Sequence, residues 1–204
     1  MLRGPNLWSR HTALEAIVTC ETSERSIDAI PQFETKIRER FPQLGSMRSG
    51  GNTEALSLAH ALEHAALGLQ AQAGCPVTFS RTVQTIDEGV YQVVVEYIEE
   101  VVGRMAFDFA FALIQATLNN TPFDLAAALS ELDALYEDIR LGPSTGSIVD
   151  AAVQRNIPYR RMTEGSMVQF GWGSKQKRIQ AAETSDTSAI SEAIAQDKEL
   201  TKNL

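Results

Sequence analysis

Two of the chain's three histidines stand four residues apart, in the run His60-Ala61-Leu62-Glu63-His64. On an α-helix that spacing turns through about 40° and rises about 6 Å, so both imidazoles point the same way. Imidazoles so placed can share one Zn²⁺, and Glu63 falls beside them, where a carboxylate takes a proton from metal-bound water. A catalytic zinc needs a third protein ligand and an open position. Glu96 and Glu100 are the expected sources, because they share one helical face if the helix after the preceding strand begins early enough. Glu99 is a weaker third choice, and Glu88 a group that would orient a ligand rather than touch the metal.

The order H-x-x-E-H is that of the inverted zincins. A plainer reading stands beside it: a His pair on an Ala-rich helix is often a hydrogen-bonded structural feature, and a five-residue pattern arises by chance. No Ser/His/Asp or Cys/His nucleophile can be argued, since neither Cys20 nor Cys75 has a basic partner nearby in sequence. Gly171-Trp172-Gly173 has a G-x-G look, but a strand pattern follows where a phosphate loop would open a helix, so it reads as a turn. Ser144, Thr145 and Ser147 offer oxygens to cap a helix. Asp197, Lys198 and Lys202 face either a nucleotide phosphate or solvent, and His11 is assigned nothing.

The elements that must position the His pair are legible as patterns. Leu14–Cys20 reads as a strand and Glu34–Phe41 as a short charged helix stopped by Pro42, with a Gly-Gly loop over 45–51. Asn52–Ala73 reads as a long helix, with Ala55, Ala59, Leu62, Ala66, Leu69 and Ala73 on its buried face and Gly74 ending it. Pro76–Gln84 and Gly89–Val95 read as strands around a polar turn. Helices follow at about 97–118 and 123–139. Gly142-Pro143 breaks the chain before a helix at Ile148–Arg155, a hairpin over 167–170 and 177–182, and a helical pattern from Asp186 or Thr187 to Leu204. The expected class is α+β: an antiparallel or mixed sheet flanked by long helices over 1–140, then a partial α/β segment over 141–204.

Composition narrows the function classes. The 204 residues are 44% apolar and 22% charged, ordinary for a folded protein, with a net charge of -8. That balance argues against nucleic acid, which needs clustered Lys and Arg, and suits a cationic or zwitterionic partner. Two cysteines make no disulfide framework. The N-terminal MLRGPNLWSR lacks the apolar run of a signal peptide, and Met105–Ala116, broken by Asp108, is short for a membrane span. The expected address is the cytoplasm.

Several stretches together resemble cyanophycin synthetases: Leu2–Ser9 (LRGPNLWS), His60–Gln70 (HALEHAALGLQ), Gly89–Tyr97 (GVYQVVVEY), Leu141–Thr145 (LGPST), Gln169–Ala182 (QFGWGSKQKRIQAA) and Ile194–Lys202 (IAQDKELTK). The similarity runs over essentially the whole chain. It implies the N-terminal domain of a three-part enzyme that polymerises Asp and Arg with ATP and Mg²⁺, followed at 141–204 by the lead-in of an ATP-grasp domain that stops at Leu204. Met1 falls where the family has a further strand, so one sheet edge is expected to be short. Lys198 matches a nucleotide-contacting lysine of ATP-grasp enzymes. The resemblance also implies the Asp–Arg polymer and the remaining ligase domains as partners, and a homo-oligomer when intact. In some members this domain resembles a zinc metallopeptidase that cuts polymer into primers; in others it only tethers. Three readings result: a portion of a ligase inactive by itself, a zinc peptidase using His60, His64, Glu63 and Glu96 or Glu100, and a non-catalytic polymer-binding module.

Overall fold

The computed structural model describes residues 1–2, 6–9, 12–45, 47, 56–180 and 183–188. They form two compact units, Met1–Ile139 and Arg140–Leu204.

In the first unit, β-branched residues give strand β1 (Ala13–Thr19), and a short amphipathic helix α1 (Phe33–Arg40) buries Phe33 and Ile37. Helix α2 spans Leu58–Gln72, strand β2 Ser80–Gln84 and strand β3 Val90–Glu96. Helices α3 (Glu100–Asn119) and α4 (Leu125–Ile139) complete it. The sheet order is β1-β3-β2, antiparallel throughout, which settles the antiparallel alternative. Central β3 turns Tyr91, Val93 and Val95 into the core built with α2 and α3. Leu2 bridges to Ala13 at the free edge of β1.

α3 is long and apolar enough to cross a membrane by length and composition alone. Here it is a core helix, burying Val102, Ala106, Ala110 and Leu113 completely. Asp124 opens α4 by accepting from the Ala127 N–H at 2.9 Å.

Several boundaries differ from the patterns in sequence. The long helix begins at Leu58 rather than Asn52: Leu56 and Ser57 are extended, with the Leu56 carbonyl accepting from the Ile27 N–H at 2.7 Å. Residues 51–55, Ala55 among them, lie outside the described residues. Residues 76–79 are not strand, because the Glu96 carboxylate takes the Thr78 and Phe79 N–H groups that a neighbouring strand would. The chain bends at Ile98 and Glu99 after the strand, so the third helix starts at Glu100. Gly74 ends α2 with φ +80°, as its position suggested.

In the second unit Pro143 is the first residue of helix α5 (Pro143–Gln154). Ser144, Thr145 and Ser147 therefore lie inside the first turns instead of capping from outside; the Ser147 hydroxyl donates to the Pro143 carbonyl. Strands β4 (Tyr159–Arg161), β5 (Met167–Phe170), β6 (Lys177–Gln180) and β7 (Glu183–Thr184) follow in that sheet order, all antiparallel. A helix followed by an antiparallel sheet is α+β, and replaces the α/β description expected here. Val149, Val168 and Ile179 form its small core. Gly171 and Gly173, at φ +66° and +62°, make the turn between β5 and β6. The final helical pattern from 189 on lies outside the described residues.

Gly103 tests the fit of α3. A Cβ there would stand 2.6 Å from the Tyr97 Cβ, an atom fixed to the backbone. Ala gains about 1 kcal/mol of helix propensity, but the overlap costs about 1–3 kcal/mol. Gly103→Ala is expected to lower the urea unfolding midpoint followed by circular dichroism.

Candidate functional site

The start of α2 fixes the His pair. Ser57, wholly buried, is the residue before the helix, and its N–H meets His60 Nδ1 at 3.1 Å while its Oγ lies 2.9 Å from the same nitrogen. His60 also sits edge-on to Tyr91, ring centroids 5.8 Å apart at 72°. One end of the ring is thus committed to Ser57. If Nδ1 accepts the Ser57 amide, the ring proton is on Nε2; if Nδ1–H donates to Ser57 Oγ, it is on Nδ1.

Glu63 is 6% exposed and has no hydrogen-bond or ion-pair partner among the described residues. His64 is half-buried on the same helical face.

The acids expected to complete a zinc site are not brought to this pair. His60 contacts Tyr91 at the start of β3, whereas Gln70, ten residues along α2, donates to the Glu96 carbonyl at 3.0 Å. Ten helical residues rise about 15 Å, so α2 and β3 run side by side and hold Glu96 at the far end. Its carboxylate is turned onto the Thr78 and Phe79 N–H groups at 2.9 and 2.8 Å. Glu100, the first residue of α3, pairs with Arg104 at 3.0 Å. Glu96 ends a strand and Glu100 starts a helix, so they do not share a helical face. Glu99 lies near Cys75, beyond the end of α2. Glu88 is at the Tyr91 end of the strand, paired with Arg25 at 2.6 Å. Among the described residues, no three His, Cys, Asp or Glu side chains are placed to hold a metal.

No local pattern shows where Cys20 goes. The fold sets it at the head of α2, its thiol against the Ala59 backbone and the Ser57 hydroxyl. Burial nonetheless pushes the thiol up, so it stays protonated. Cys75 is pushed up to about 12 by burial and then by the Glu99 charge. Both are buried structural thiols, joined to their neighbours across long stretches of chain that no local motif reveals. Lys198 lies outside the described residues.

Residues 15–119 match the model of the family described as cyanophycin synthase-like N-terminal domain. The whole chain is 37% identical to the cyanophycin synthetase of Trichormus variabilis, covering 24% of that protein. It is 34% identical to that of a Synechocystis species, over 25% of its length. The cyanophycin synthetase of Geminocystis herdmanii is 36% identical over 98% of the chain and 25% of its own length. The chain thus spans about a quarter of the curated relatives it matches.

The Glu96 geometry yields a prediction. Glu96→Gln replaces a charged acceptor of two backbone N–H groups by an amide, and is expected to cost about 2–3 kcal/mol of stability. The check is the urea midpoint; an unchanged midpoint would mean that Glu96 does not hold residues 78 and 79.

Proposed function

The chain belongs to the cyanophycin synthase-like N-terminal domain family, and from that premise we propose that it holds the Asp–Arg polymer for a larger cyanophycin synthetase. In this reading ATP and Mg²⁺ serve ligase sites carried by other parts of that enzyme, whose work is done in the cytoplasm. The observation that carries the reading is the distribution of charge. Met1–Ile139 has 19 acidic and 9 basic side chains, whereas Arg140–Leu204 has 7 acidic and 9 basic. On α4, Asp124 just before the helix and Glu131, Asp133, Glu137 and Asp138 along it are all exposed. An acidic surface of this kind attracts guanidinium groups, and the attraction between exposed charges is screened by salt.

The test is equilibrium binding of the 204-residue chain to soluble polymer. Raising salt from about 0.05 to about 0.5 M shortens the screening length severalfold, and affinity is expected to fall at least about tenfold. Binding that ignores ionic strength would contradict the electrostatic account.

A second reading, a zinc peptidase, is favoured by Glu63. Glu63 stands between the two histidines in the chain, and its carboxylate makes no hydrogen bond or ion pair with the described residues, which leaves it open to take a proton. His60 and His64 would hold the metal, with Glu63 as the proton acceptor; bound zinc would supply an activated water. The described residues provide two donors where three are needed, and neither Glu96 nor Glu100 is the third, so no hydrolytic step is built on them. The expected outcome on this reading is stoichiometric zinc by elemental analysis, lost in His64→Ala, with polymer cleavage lost in Glu63→Gln. Equal cleavage by Glu63→Gln would remove Glu63 from the chemistry.

A further inference from the structure

In the second sheet, antiparallel register sets Arg160 opposite Gln169 and Gln169 opposite Arg178. Their neighbours Tyr159, Val168, Phe170 and Ile179 pack with Val149 of α5. Side chains alternate along strands, so Arg160, Gln169 and Arg178 line the opposite face, in a row across three strands about 10 Å long. Gln169 is only 7% exposed, although it lies away from the helix. Its Oε1 accepts from Arg178 Nε at 3.2 Å, which braces that guanidinium and leaves its terminal nitrogens for another acceptor.

Both arginines are exposed, and neither has a carboxylate partner among the described residues. Elsewhere in this unit Lys177 is neutralised by Asp186 at 2.6 Å. Among the described strand residues, the acid on the same face is Glu183, opposite Gln180, and no ion pair joins it to Arg178.

We infer that this row is a carboxylate-binding surface, with Arg160 and Arg178 as its cations, and that it receives the carboxylates of the Asp–Arg polymer. The inference rests on the polymer-holding reading and completes it. Arg supplies guanidinium groups and Asp supplies carboxylates, so a polymer of the two offers both kinds of group to the surface. The acidic first unit answers the guanidinium, and the arginine row answers the carboxylate. Planar guanidinium forks match carboxylates bidentately, and Gln169 fixes one fork in place.

Three probes test this on the full chain by calorimetry: polyaspartate, polyarginine and the soluble Asp–Arg polymer. Arg160→Gln combined with Arg178→Gln is expected to weaken polyaspartate binding at least about tenfold, while leaving polyarginine binding unchanged. Unchanged polyaspartate affinity in the double variant would overturn the inference, as would a wild-type chain that does not bind polyaspartate. Should the double variant fold poorly by thermal melting, Arg160→Gln alone, which removes no hydrogen bond to Gln169, carries the same test with a loss of at least about threefold. If polyaspartate binds through the arginines while the Asp–Arg polymer and polyarginine do not bind, the carboxylate surface stands and the polymer-holding reading falls.

Discussion

Where α2 begins decides what its polar face can do. The Leu56 carbonyl is held by the Ile27 N–H, and Ser57 turns the backbone into the helix with its own amide against His60 Nδ1. These contacts fix the rotation and the axial position of the helix together. His60 is thereby set on Tyr91 and Gln70 on Glu96, so α2 acts as a rigid spacer between the two ends of β3. A helix cannot shorten by about 15 Å without losing its hydrogen bonds. The His pair and the acids after β3 consequently belong to different neighbourhoods.

Glu96 shows how a residue suited to metal binding is used for packing instead. It binds the Thr78 and Phe79 amides through its carboxylate and Gln70 through its carbonyl, and so joins α2, β3 and the stretch before β2. Glu63 differs: most of its side chain is buried, and its carboxylate makes no hydrogen bond or ion pair with the described residues. The contrast between these two carboxylates separates the structural role from the open chemical question.

Much of this was legible from residue patterns. The strand at 14–20, the helix at 34–41, the hairpin flanking 171–174 and the α+β class of the first unit follow from alternation, helical spacing and glycines at turns. Helix starts were not. Leu56 and Ser57 lie within the stretch that reads as helix, but they stand before α2, with the Leu56 carbonyl bound to Ile27, a residue about thirty positions away. Tyr97–Glu99 likewise pass for helix until Gly103 packs on Tyr97 and fixes the turn before α3. The His pair was visible because its spacing is local. The far placement of Glu96 was not, since it depends on how α2 lies along β3. Cys20 beside Ser57 was hidden for the same reason, as was the Arg160–Gln169–Arg178 row, which exists only through strand register.

The two units divide charge unequally, and a polymer bearing both guanidinium and carboxylate groups would meet a surface for each. The most direct measurement is amide hydrogen exchange on the full chain, with and without soluble Asp–Arg polymer. The account predicts slowed exchange in the acidic first unit around α4, together with the β4–β6 sheet. Protection confined to the head of α2, or none in either region, would contradict it.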